Sequence, residues 1–286
     1  MRITSIQRYV WCATPSGLHR LAYLEWGDPA NEKVVVCVHG LTRCARDFDA
    51  LARALVDQYR VICPDMPGRG ASEWLKNPAE YEIATYVADC VTLIARLNVE
   101  TVDWVGTSMG GLIGMALACM PGAPIRRLVL NDAGPVVAAL SLARIGQYVG
   151  HAPRFPDFEA AVAYIRTIAA PFGPHSEEQW RFLTEVVVRK QSDGSYLAHY
   201  DPAISVPFRK VQANHDIELW PLYDAVKAAT LVVRGAESDL LTRTTAAAMR
   251  QRGPRAEVVE FAGVGHAPTL MHDDQTAVVR EFLLRA

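Results

Sequence analysis

The stretch Val102-Asp103-Trp104-Val105-Gly106-Thr107-Ser108-Met109-Gly110-Gly111 constrains the fold more than any other part of the chain. A short apolar run ends in Gly-Thr-Ser-Met-Gly, and a helical pattern of small residues, Leu112 to Met120, begins at once. Strand, sharp turn and helix in direct succession is the setting in which Gly-x-Ser-x-Gly forms a nucleophile elbow. Such a turn holds its serine in a strained backbone conformation, and Gly106 and Gly110 leave it room because neither carries a Cβ. The hydroxyl would then project from the end of a sheet, with a helix N-terminus behind it. The alternative is a chance pentapeptide in a loop. What separates the two is whether the rest of the chain supplies a base, an acid and an oxyanion hole.

The surrounding pattern provides the sheet. Ile3–Cys12 and Leu18–Trp26 alternate polar with apolar residues around Thr14-Pro15-Ser16-Gly17, which predicts an antiparallel hairpin. Lys33–Val38 is a continuous β-branched run, suited to a strand covered on both faces. Tyr59–Cys63, Thr101–Val105, Ile125–Asn131, Thr230–Arg234 and Glu257–Phe261 complete a set of eight strands. Helical spacing lies between them, as in Tyr81–Leu97, where Tyr86, Val87, Cys90, Val91 and Ile94 share a face. Alternation of this kind predicts an α/β fold, a mostly parallel eight-stranded sheet with right-handed crossovers and flanking helices.

After the sixth strand the alternation stops. Helical patterns near Ala138–Val149, Phe158–Ile168 and Glu177–Arg189 are separated by prolines and glycines. Residues 136–219 therefore read as a helical insertion in a core formed by 1–135 and 220–286. Ala138–Val149 and Lys210–Trp220 are candidate amphipathic helices that either face a cavity or pack as core.

With 286 residues, half of them hydrophobic, one core with an insertion is a reasonable size. A net charge of −2 with no basic stripe argues against a nucleic-acid partner. No apolar run reaches the length of a membrane span, and Met1–Val10 lacks the apolar centre of a signal peptide, so a cytoplasmic protein is expected. The six cysteines form no close pair and read as small buried hydrophobes, with Cys44 the one candidate for a reactive thiol. Neither a metal nor an organic cofactor is expected. The partner is a small-molecule substrate, with a homo-oligomer left open.

A serine hydroxyl needs a neighbour to take its proton, and histidine suits because it titrates near neutrality. His266 lies in the Gly263-Val264-Gly265-His266 loop after the last strand, at the sheet end where the elbow also opens. His39 follows its strand directly and reads as a loop-shaping residue, as does Asp65 after Cys63-Pro64. The imidazole in turn needs an anion on its far nitrogen. Asp239, just past the Thr230–Arg234 strand, is the expected acid; Asp132 and Glu237 are its rivals. The oxyanion hole needs two backbone N–H donors, expected from Met109 and Leu41.

With these residues in place the chain resembles the α/β-hydrolases. The matching segments are His39-Gly40, Asp65 to Ser72, Gly106 to Gly111, Gly235 to Asp239 and Gly265-His266, in that order. The resemblance covers almost the whole chain and places the insertion where the family carries its helical lid. Serine at the nucleophile position argues against haloalkane dehalogenases and epoxide hydrolases, which carry aspartate there. The resemblance implies a serine hydrolase that cleaves a small or medium carboxylic ester, or a related acyl compound, through an acyl-enzyme. The alternatives it implies are a carbon–carbon bond hydrolase acting on a diketone, and a ligand-binding member without turnover. Gly40, Arg43 and Pro135 are candidate substrate contacts, with Leu41, Met109 and the insertion aromatics as further candidate walls; Trp104 is either a wall or, as its place in a strand favours, core. Arg43 either meets an anionic substrate group or is a solvated loop arginine.

Overall fold

The computed structural model describes residues 4–210 and 215–285. Eight strands form one sheet: β1 (Ile6–Thr14), β2 (Gly17–Trp26), β3 (Val34–Val38), β4 (Arg60–Pro64), β5 (Val102–Thr107), β6 (Ile125–Asn131), β7 (Ala229–Gly235) and β8 (Glu257–Phe261). Their order is β1-β2-β4-β3-β5-β6-β7-β8. β1 and β2 pair antiparallel, β2 is antiparallel to β4, and every later pair is parallel. The parallel strands therefore end on one side, and the turns that follow β3, β5, β6, β7 and β8 converge there.

The continuous apolar runs are explained by burial on both faces. Val36, Trp104, Leu128 and Val232 pack on one face with α2 (Ile83–Leu97) and α3 (Met109–Ala118). Val35, Val105, Val129 and Val233 pack on the other with α1 (Asp49–Leu55) and the last helix, Asp273–Leu284. Trp104 is thus core, and its indole N–H donates to the Gly110 carbonyl at 3.0 Å. Along α2 the buried face is Tyr86, Val87, Cys90, Leu93, Ile94 and Leu97, while Val91 is exposed. Asn98, at φ 56°, then ends the helix in the left-handed conformation that a C-terminal cap uses.

The segment between β6 and β7 departs from the all-helical expectation. It carries α4 (Ala139–Gly146), α5 (Phe158–Ile168), α6 (Glu177–Glu185), α7 (Ser205–Lys210) and α8 (Trp220–Ala225). It also forms two small antiparallel sheets. In one, Val136–Val137 pairs with Ile217–Glu218. In the other, Tyr196–Ala198 pairs with both Arg154–Phe155 and Val188–Lys190. Strands of two or three residues are too short to show period-two alternation. Of the expected Lys210–Trp220 helix, residues 211–214 lie outside the described residues and Ile217–Glu218 is strand. α5 and α6 enclose a separate apolar cluster of Val162, Ile165, Trp180, Leu183 and Val187. Cys44 is buried in that cluster and its thiol donates to the Val186 carbonyl at 3.2 Å, a packed group rather than an accessible nucleophile.

Candidate active site

β5 ends at Thr107 and α3 begins at Met109, so Ser108 stands alone at the turn. Its φ of 52° and ψ of −114° lie where a residue with a side chain is strained. Three hydrogen bonds hold it there. The Ser108 N–H donates to the Asn131 carbonyl at 2.9 Å, and the Gly111 and Leu112 N–H groups donate to the Ser108 carbonyl at 2.9 and 3.1 Å. A Cβ on Gly106 would lie 2.2 Å from the Gly110 carbonyl oxygen, and one on Gly110 would lie 2.0 Å from that of Val38. Both glycines are therefore fixed by close backbone approach. Gly40 differs, since a Cβ there would meet the Ser108 Cβ at an ordinary 3.7 Å.

The structure brings His266 to Ser108, with Nε2 2.9 Å from the serine Oγ. It corrects the expected acid. The carboxylate on the far side of the imidazole is Asp132, whose Oδ2 accepts from Nδ1 at 2.6 Å. That bond fixes the proton on Nδ1 and leaves Nε2 to accept the serine proton. Asp132 is the first residue past β6, and its N–H donates to Val233 of β7 at 2.7 Å. Its φ of 50° is a conformation that aspartate tolerates better than most residues. The carboxylate is fully buried and takes two further donors, the Ser238 hydroxyl at 2.6 Å and the Gly235 N–H at 3.3 Å. Ser238 Oγ itself accepts from the Leu240 and Leu241 N–H groups, so its proton is directed at Asp132.

Asp239 sits one residue beyond Ser238 and points elsewhere. Its two carboxylate oxygens accept from Arg144 Nε and Nη2 of α4 at 2.8 and 2.9 Å. Glu237 is also turned away, accepting from the Gly263 N–H in the loop after β8. The three rival carboxylates thus occupy one end of the sheet, and only Asp132 faces the histidine.

The Leu41 and Met109 N–H groups have no hydrogen-bond partner among the described residues. The loop that carries Leu41 is shaped by His39, which is fully buried. Its Nε2 accepts from the Met66 N–H at 2.9 Å and its Nδ1 donates to the Gly40 carbonyl at 2.7 Å. Burial pushes the His39 imidazole down to about 3, so it is neutral. Asp65 braces the same region by accepting from the Ala45 and Ala71 N–H groups at 2.7 and 2.8 Å. Burial, opposed by these two donors, pushes its carboxyl up to about 6.

Ser108 and His266 open into a cavity of about 140 Å³. Gly40, Leu41 and Arg43 line it from the core, and Arg144, Tyr148, Phe155 and Tyr164 from the segment between β6 and β7. Pro135 does not line it; its carbonyl accepts from the Leu219 N–H and ties the two ends of that segment. Arg43 is neither solvated nor free. Its guanidinium donates to both oxygens of Asp47 and to the Leu183 carbonyl, and it lies over the Phe172 ring. Sequence reading missed Ser238 and Arg144 in this region. Ser238 carries no signal beyond its place in a strand-end turn, and Arg144 none beyond its place on an amphipathic helix.

Fold and site together define a hydrolase of the α/β-hydrolase family, and the chain belongs to that family: its profile, described as alpha/beta hydrolase fold, matches residues 33–273. Among curated proteins, the chain is 52% identical over 285 residues to a 3-hydroxybutyrate-oligomer hydrolase of Cupriavidus necator, covering 97% of each. It is 28% identical over 238 residues to a 2-hydroxymuconate semialdehyde hydrolase of Pseudomonas putida, covering 79% of this chain and 78% of that one. Among solved structures, an alpha/beta hydrolase from Novosphingobium aromaticivorans superposes with a TM-score of 0.89 at 36% identity, covering 100% of both chains.

Proposed function

We propose that the chain is an ester hydrolase that cleaves short oligoesters of 3-hydroxy acids, with Ser108 as nucleophile, His266 as base and Asp132 as acid. The observation that carries the chemistry is the unbroken hydrogen-bond chain from Ser108 Oγ through the imidazole to a buried carboxylate, at 2.9 and 2.6 Å. The 52% identity over nearly the whole chain to the Cupriavidus necator protein supports the substrate class.

Ser108 Oγ attacks the ester carbonyl while His266 Nε2 takes its proton. Asp132 stabilises the imidazolium and keeps the ring oriented. The Leu41 and Met109 N–H groups hold the developing oxyanion, aided by the partial positive charge at the N-terminus of α3. The imidazolium then returns its proton to the leaving alkoxide, so an alcohol departs and an acyl-Ser108 ester remains. Water, deprotonated by His266, hydrolyses that ester to the free acid. Residues 136–219 act as the lid that shapes the substrate side of the cavity, supported by the placement of Arg144, Tyr148, Phe155 and Tyr164 along its wall.

The test is release of 3-hydroxybutyrate from its dimer and trimer, followed by chromatography, for the wild type and Ser108→Ala. Turnover by the wild type and none by the variant is expected. Retained turnover in Ser108→Ala would sink the assignment. Preferential cleavage of a vinylogous diketone over both oligoesters would replace it with carbon–carbon bond hydrolysis.

A further inference from the structure

We propose that Arg144 forms a carboxylate-reading subsite in the cavity, selecting esters whose leaving alcohol carries a free carboxylate. This rests on the hydrolase reading above and adds the feature of the substrate that the site recognises.

Two guanidinium groups line the cavity, Arg43 and Arg144. All three nitrogens of Arg43 are engaged, two by Asp47 and one by the Leu183 carbonyl, and its side chain is only 12% exposed. An entering anion finds no open edge there. Arg144 is arranged differently. Nε and Nη2 donate to Asp239, the only other polar group set against the guanidinium among the described residues is the Tyr148 hydroxyl, and the side chain is 35% exposed. Its counter-ion is also open, since the Asp239 side chain is 49% exposed. A second carboxylate can therefore bind the remaining edge without stripping Asp239 of its water.

The guanidinium is held in place on the cavity wall. α4 is tied to the turn after β7 twice, by the Arg144–Asp239 pair and by the Ser141 hydroxyl donating to the Asp239 carbonyl at 2.8 Å. Tyr148, one turn further along the chain, has its hydroxyl beside Arg144 and supplies a second polar group on the same wall. Ile145, Phe155 and Ile165 make the neighbouring wall apolar, which suits a branched aliphatic chain. In an oligoester of 3-hydroxy acids the half that departs as the alcohol always ends in the carboxylate. A planar fork that binds carboxylate is the group such an end requires.

The experiment compares kcat/KM for the 3-hydroxybutyrate dimer as free acid and as its methyl ester, in the wild type, Arg144→Met and Arg144→Lys. The ratio of the two substrates within one preparation cancels any loss of folded protein. The wild type is expected to favour the free acid by about 10- to 100-fold, the range for a hydrogen bond to a charged group. Arg144→Met should bring the ratio to about one, chiefly through KM for the acid, and Arg144→Lys should restore part of it. A wild-type ratio near one, or an unchanged ratio in Arg144→Met, overturns the subsite while leaving the hydrolase reading intact. Failure of the wild type to cleave either ester overturns the hydrolase reading itself, and the subsite with it.

Discussion

Replacing Asp132 and Asp239 in turn by asparagine separates the two candidate acids. In Asp132→Asn the imidazole keeps its neighbours but loses the charge that balances the imidazolium. Two unit charges about 4 Å apart, at an effective dielectric of about 20, attract by roughly 4 kcal/mol, which is about 10³ in rate. The amide adds a second penalty. Oδ2 of Asp132 accepts from both His266 and Ser238, and Oδ1 accepts from Gly235, so both oxygens face donors. An asparagine must aim its NH₂ at one of them, and aimed at His266 it favours the wrong tautomer. The combined loss in kcat should approach the ~10⁴ known for this replacement in serine proteases. Asp239→Asn breaks a pair whose side chains are 35% and 49% exposed. Such a pair is worth at most about 1 kcal/mol, so kcat on a neutral aryl ester should change by no more than about fivefold. The assay is p-nitrophenyl butyrate hydrolysis, with melting curves to confirm folding. Ser238 offers a rescue, because its Oγ lies 2.6 Å from the same Oδ2 that faces His266. Adding Ser238→Asp to Asp132→Asn should recover roughly tenfold or more of the lost charge stabilisation. A loss in Asp239→Asn equal to that in Asp132→Asn, or Asp132→Asn within tenfold of wild type, would refute the reasoning.

Two further predictions concern the frame of the site. Gly110→Ala places a Cβ 2.0 Å from the Val38 carbonyl oxygen, where only backbone can yield, so a drop of at least about 2 kcal/mol in urea-unfolding stability is expected together with loss of turnover. His39 and Asp65 should give opposite pH dependences of stability. His39 is held down at about 3 in the fold, so between pH 6.5 and 3 the unfolded chain binds the extra proton and stability falls as pH falls. From pH 7 to 5 that costs about 2 kcal/mol. Asp65 is raised to about 6, so the folded chain binds the extra proton between about pH 6 and 4, and stability rises as pH falls, by about 1 kcal/mol over the same interval. His39→Asn should therefore become more stable at pH 5 relative to pH 7 than the wild type does, and Asp65→Asn less so, as read from urea unfolding at the two pH values. Parallel shifts in both variants would contradict the assigned protonation states.

The parts of the site that were legible in the sequence are those fixed by local geometry. Gly106 and Gly110 are dictated by approaches of about 2 Å that no other residue permits, so the elbow shows in the spelling of five residues. The eight strands show because burial on both faces demands continuous apolar runs. The carboxylate that pairs with His266 showed only as one of three candidates, because the choice depends on side-chain direction at the ends of two neighbouring strands. Asp132, Glu237 and Asp239 all end strands at one side of the sheet, and a difference of one residue within a turn sends Ser238 to the histidine network and Asp239 to α4. Nor did the small sheets near the cavity show, since they rest on two- and three-residue pairings set by tertiary contact rather than by pattern.

The displaced acid has a consequence for specificity. β6 and β7 are adjacent and in register, Asn131 opposite Val233, so the turns after both strands meet at the Asp132 carboxylate. With Asp132 in that place, the turn after β7 contributes only a hydroxyl to the histidine network, through Ser238. Its carboxylate, Asp239, is left to orient Arg144 on the cavity wall. The histidine network and the Arg144 subsite therefore meet at consecutive residues of one turn. A substitution at 238 that shifts this turn should alter discrimination between free-acid and capped esters even where the triad still works.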